Sequence, residues 1–158
     1  MTYCAIDFGT SNSAIAISRT DADGGGMRLV PLEGQNLTMP TAVFYCTDAD
    51  DLPPGTWRGK HIDDSLPRTF GRAAVQAYID GYEGRLMRSM KSLLGSSLLE
   101  QTTDLGGGHS VRYVDVVVGY LRHLKRAAEA AAGHARATGV AQHALHQPLG
   151  GPAPQCAG

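Results

Sequence analysis

Two short apolar alternations open the chain, with a polar turn between them. Cys4-Ala5-Ile6-Asp7-Phe8 gives way to Gly9-Thr10-Ser11-Asn12-Ser13, and Ala14-Ile15-Ala16-Ile17 follows at once. A period of two on both sides of a glycine-centred turn predicts strand, tight turn, strand over roughly Tyr3–Phe8 and Ala14–Arg19. Thr20-Asp21-Ala22-Asp23-Gly24-Gly25-Gly26 reads as a hairpin tip, and Met27–Leu32 as a third strand. Such a meander buries one face and needs helices to cover it. Thr41–Cys46 predicts another strand.

Farther along, Thr47 to Asp64 is rich in Asp, Pro and Gly and reads as an exposed insertion without chemistry, with Trp57 as a local packing anchor. Phe70 to about Ile79 is helical. Between Arg85 and Leu93 the apolar positions Leu86, Met90 and Leu93 recur until Gly95 breaks the pattern. Gly106-Gly107-Gly108 reads as a linker. The best-formed helix is Val114–Ala132, with Val114, Val117, Val118, Leu121, Leu124 and Ala128 on one face. Arg122, Lys125, Arg126 and Glu129 take the other sides, His123 falls among them as a solvated residue, and Gly133 supplies a stop. Beyond Gly133 the segment has no β-branched run and carries breakers throughout its second half, so 134–158 is expected to be an irregular tail, disordered or the product of a shifted reading frame.

Composition narrows the classes. An apolar content of 42% and 14 basic against 15 acidic residues describe a globular chain with no basic surplus for nucleic acid. Neither a membrane-spanning run nor a charged leader is present in the residues, so a cytoplasmic location is expected, with no membrane partner. The three cysteines, Cys4, Cys46 and Cys156, have no Cys-x-x-Cys spacing, and Cys4 and Cys46 lie in apolar stretches that suit reduced thiols. His143 and His146 with Cys156 lack the paired spacing of a zinc site.

The candidate chemistry lies in the first turn. Backbone amides and the hydroxyls of Thr10, Ser11 and Ser13 form a suitable cradle for phosphate oxygens. Asp7 sits where it could hold the water shell of Mg²⁺, an ion that accepts few protein ligands, and Gly9 leaves room for close approach. Neither a P-loop nor a Gly-x-Gly-x-x-Gly fingerprint is present, and the turn leads into a strand rather than a helix. Read alone, the same residues also describe an ordinary polar hairpin.

Asp7-Phe8-Gly9-Thr10-Ser11-Asn12-Ser13, followed by a β alternation, resembles the first phosphate loop of the actin-like ATPase superfamily, within it the DnaK-type seventy-kilodalton heat-shock chaperones. Three further stretches fall in the family's order: Pro31 to Val43, Phe70-Gly71-Arg72-Ala73-Ala74, and Ser89-Met90-Lys91-Ser92-Leu93-Leu94-Gly95. The last is similar to the segment bearing a catalytic lysine, and its wording is similar to the YegD-like branch. The resemblance covers residues 3 to about 133. It implies an α/β fold of ribonuclease H-like type: an incomplete N-terminal subdomain of an actin-like ATPase, a β-meander with covering helices.

Residues 1–133 would then be part of a nucleotide-binding domain, with an inserted subdomain over about 34–112. It further implies ATP and Mg²⁺ as cofactors. Gly9, Thr10, Ser11 and Asn12 would bind phosphates, Asp7 would act on the Mg²⁺ through water, and Lys91 would reach the γ-phosphate. Lys91 read without the resemblance is a solvent-facing charge. Nucleotide is the implied partner, with unfolded client proteins only for a full-length chain. No second phosphate loop or adenosine lobe is recognisable, so the residues are expected to be inactive alone. The resemblance also places a strand after the long helix. Two other readings stay open: part of a sugar or carboxylate kinase of the same superfamily, or a non-enzymatic interaction module.

Overall fold

A computed structural model describes residues 3–19, 24–58, 66–131 and 140–141. Strands β1 (Cys4–Phe8) and β2 (Asn12–Ser18) form the antiparallel hairpin that the alternation predicts, with Ile6 opposite Ile15 and Phe8 opposite Ser13. Strand β3 (Met27–Leu29) continues the meander along one end of β2, and β4 (Thr38–Pro40) pairs with its other end. Strand β5 (Ala42–Cys46) then leaves this sheet and becomes the centre of a second one, flanked by β6 (Arg68–Phe70) and β7 (Gly84–Arg88). Helix α1 (Gly71–Ile79) lies between β6 and β7 in the chain. A third unit is the hairpin β8 (Thr102–Gly106) and β9 (His109–Arg112), and α2 (Tyr113–Ala131) follows directly. The short β10 (Val140–Ala141) pairs parallel to β1, across its free edge. A parallel neighbour requires a crossover, and α2 is part of it.

Among the described residues the α/β character is thus present in small sheets, antiparallel apart from the β1–β10 pair, and two α-helices. Side-chain alternation decides what covers what. Cys4, Phe8, Ser13, Ile15 and Ile17 are buried on one face of the hairpin and join Val116, Val117, Tyr120, Leu124 and Ala128 of α2 in the main core. Val43, Tyr45 and Met87 enter the same core from the second sheet. The other face of β5 presents Ala42, Phe44 and Cys46 to Ala74 and Ala77 of α1. Phe44 and Ala74 are fully buried, and the small alanines let the helix approach the strand closely.

Three expectations change, and one segment whose spacing left its conformation open is decided. Between Arg85 and Leu93 the structure has a strand over 84–88 and one turn of 3-10 helix over Met90–Leu93. Pairing of β7 with all five residues of β5 decides what the local spacing leaves open. The glycine triplet is not a linker but the tight connection of β8 to β9, where Gly106, Gly107 and Gly108 all have positive φ. The buried stripe of α2 is turned relative to the predicted one. Val116 and Tyr120 are fully buried, whereas Val118 is exposed. Tyr120 fills the space between Phe8 and Phe70, with ring centroids 5.9 and 6.5 Å away, and this sets the phase of the helix. His123 is not a solvated residue either. Its ring stacks on Phe70 at 4.2 Å and 13°.

The insertion after β5 is anchored as expected through Trp57, which lies between the guanidinium groups of Arg68 and Arg126 at 4.7 and 5.1 Å from its ring centroid. Among the described residues, no helix is long and apolar enough to cross a membrane. The expectation for 134–158 lies outside the described residues except at Val140–Ala141.

Candidate functional site

The β1–β2 turn is built by sequence at close range. Phe8 and Ser13 are the last paired residues, and Gly9 to Asn12 reverse the chain. Gly9 is required here: a Cβ on it would collide with the backbone carbonyl of Asn12. The turn itself therefore needs the glycine, whatever approaches from outside. Thr10, Ser11 and Asn12 are exposed, and so is Asp7 on β1. Asp7 and Phe8 are consecutive on a strand and so lie on opposite faces, Phe8 in the core and Asp7 on the uncovered side.

Ser13 does not belong to the exposed cradle. It is 1% exposed, and its Oγ lies 2.8 Å from Thr41 Oγ1, which is equally buried. The backbone N–H of Thr41 donates to the carbonyl of Ser11 at 2.9 Å. The Tyr120 hydroxyl donates to the carbonyl of Pro40 at 3.0 Å. Burial pushes the Tyr120 phenol above its ordinary value and the Glu33 carboxylate adds to that, while hydrogen bonding with Ser13 and Thr41 acts against it. The phenol thus keeps its proton and remains a donor. Beneath the exposed turn lies a buried set of hydroxyls that joins β2, the β4–β5 corner and α2. The signal for it was legible: Ser13, Ile15 and Ile17 share one face at a period of two.

Two of the other singled-out stretches meet at the start of α1. The backbone N–H of Arg72 donates to Glu33 Oε1 at 2.7 Å, and the Arg72 guanidinium donates to Glu33 Oε2 and, at 2.8 Å, to the carbonyl of Thr38. A carboxylate at a helix N-terminus meets free amides and the positive end of the helix dipole. Gly71 makes this contact feasible, with φ of 61° and no side chain to strike Glu33 and Met39.

Lys91 is exposed on the 3-10 turn, beside the fully buried Met90. Ser89, just before it, holds the left-handed conformation at φ 55°, which bends the chain from β7 into that turn. Met90 lies in the main core, and the 3-10 turn bearing Lys91 packs against α2 and against the following turn Ser97–Glu100. Among the described residues, no hydrogen bond or ion pair joins Lys91 to Asp7.

For a phosphate-bearing ligand, the turn offers exposed hydroxyl and amide side chains, and Asp7 is solvent-accessible for a hydrated cation. Among the described residues, no group of three or more His, Cys, Asp and Glu could hold a metal ion directly. An open depression of about 320 Å³ is lined by Asp51, Asp80, Gly81 and Tyr82. Its two carboxylates would repel a polyphosphate. Burial raises the thiols of Cys4 and Cys46, so both are poor nucleophiles at neutral pH. The chain matches no protein-family model and no curated protein.

Proposed function

We propose that residues 3–133 are part of the nucleotide-binding domain of a DnaK-type chaperone ATPase that acts in the cytoplasm, and that the Gly9–Asn12 turn receives the β- and γ-phosphates of ATP. In this reading Thr10, Ser11 and Asn12 contact phosphate oxygens, Asp7 orients waters around Mg²⁺, and Lys91 serves the γ-phosphate. Mg²⁺ would neutralise charge on the phosphates, while the chain's own groups position them.

The observation that carries this reading is the strand–turn–strand geometry, with Asp7, Thr10, Ser11 and Asn12 all exposed at one end of the hairpin. The Glu33–Arg72 contact supports it by bringing two of the resembling stretches together. Strand β10, parallel to β1 after α2, lies where the resemblance places a strand.

Titration of the ¹⁵N-labelled chain with Mg·ATP tests the reading through amide shifts. Shifts confined to residues 7–12 are expected, with weak affinity. No response there, or a response centred elsewhere, refutes it. Hydrolysis by residues 1–158 alone should be unmeasurable, because phosphoryl transfer rests on positioning by groups from both sides of the nucleotide. In a protein completed with the second lobe, Lys91→Ala should slow hydrolysis and leave binding largely intact.

A further inference from the structure

The exposed turn is fastened to the fold at the 39–41 corner. Thr41 donates its backbone N–H to Ser11, and Asn12 pairs with Pro40. On its inner side the same corner is held by α2: Tyr120 donates to the Pro40 carbonyl, and the hydroxyls of Thr41 and Ser13 meet beside it. Tyr120, Ser13 and Thr41 are at most 2% exposed, so water cannot replace a missing partner without entering the core. An apolar residue at position 120 would fill the same space. Only a phenol also reaches a carbonyl 80 residues earlier in the chain.

We propose that Tyr120 is a positioning residue for the phosphate-binding turn: its hydroxyl holds the 39–41 corner, the corner holds Ser11 and Asn12, and anion affinity at the turn therefore varies with the seating of α2. The part concerning anion affinity rests on the function proposed above. Coupling of this kind is reciprocal. A ligand that requires the held geometry of the turn tightens the packing of α2 by the same factor by which α2 tightens the ligand.

Tyr120→Phe keeps the ring between Phe8 and Phe70 and removes only the hydroxyl. Two readouts separate positioning from general stability. Hydrogen exchange at the Thr41 amide reports opening of its bond to Ser11, and should accelerate about tenfold relative to amides in the middle of α2. Amide shifts of residues 9–12 under Mg·ATP, and separately under inorganic phosphate, should show affinity reduced several-fold. Equal acceleration at all amides, or none at Thr41, overturns the proposal.

Thr41→Val and Thr41→Ser provide a second pair should Tyr120→Phe fail to fold. Loss of the hydroxyl should reproduce the effect, and the serine should largely restore the parent behaviour. Identical behaviour of valine and serine overturns the proposal. If the parent turn ignores both ligands while Tyr120→Phe still loosens Thr41, the nucleotide reading falls and the positioning of the turn by Tyr120 stands.

Discussion

Strands β2 and β5 are both rich in apolar residues, yet their surroundings differ. All five residues of β5 are buried, because α1 covers one face and the main core the other. On β2 the buried positions alternate with half-buried ones, since α2 covers a single face and Ala14 and Ala16 lie on the other. The side chains match these surroundings. Strand β5 carries Val43, Phe44 and Tyr45 in succession, whereas β2 puts isoleucines on the covered face and alanines on the open one. The second sheet is thereby packed on both sides. The hairpin is firm on one side and open on the side that bears Asp7. A ligand at the hairpin would meet small side chains and a carboxylate there, rather than a filled core.

The largest test of this contrast is deletion of bulk from each strand. Phe44→Ala should destabilise the protein by about 3–5 kcal/mol in urea unfolding, because it empties a site between β5 and α1. Ala16→Ser, on the open face of β2, should stay within about 0.5 kcal/mol. Comparable losses would break the contrast.

Next comes the joint between the two sheets. Gly71→Ala combines a left-handed φ with a collision against Glu33 and Met39, and should cost more than about 2 kcal/mol. Gly34→Ala has a similar φ of 59° but no atom within 4 Å of the added Cβ, and should cost only about 1 kcal/mol. Thermal unfolding of the two variants should reproduce that order; the reverse order would mean that the contact at α1 carries little.

A smaller effect is expected from Glu33→Gln, which keeps the shape but removes the charge at the α1 N-terminus. A loss of about 1 kcal/mol, shrinking as salt is added, is expected from the dipole and Arg72 contributions together. A loss indifferent to salt would assign Glu33 a purely steric role.

The smallest test concerns His123 on α2. Burial first, and the Arg126 guanidinium second, lower its affinity for a proton below the ordinary value of 6.5. The unfolded chain therefore binds this proton more readily than the folded one. Stability should fall as pH drops through about 6.5 and level off once pH is below the lowered folded value. His123→Phe, which preserves stacking on Phe70, should remove this component from the difference in urea midpoints between neutral and mildly acidic buffer. An unchanged pH dependence would place its source elsewhere.

The legible parts of the fold are those fixed by neighbours in sequence. A glycine turn between two alternations specifies the β1–β2 hairpin, and α2 shows itself by length and periodicity. The phase of α2 was less accessible, because a tyrosine can serve either as a rim residue or as core. Only its partners Phe8, Phe70 and Pro40, all distant in sequence, decide between these. The β7 strand was hidden for the same reason: pairing with β5 is a long-range fact, and Leu86, Met90 and Leu93 by themselves fit more than one local conformation. At the candidate site, exposure of Thr10, Ser11 and Asn12 follows from their being in a turn. Glu33 as the acid at the head of α1 could not be found from sequence, since its backbone partner, the Arg72 amide, lies 39 residues away.

The placement of Trp57 gives the chain a built-in optical probe. It is the single tryptophan among 158 residues, and two guanidinium groups, one from β6 and one from α2, clasp its indole. Its emission therefore responds to whether the segment after β5 is seated on the long helix. It is a far less direct report on the first hairpin. Fluorescence and far-ultraviolet circular dichroism, followed side by side in denaturant, will coincide only if that seating and the sheets are lost together. A fluorescence transition that comes first would show the clasp around Trp57 opening while the hairpin remains intact.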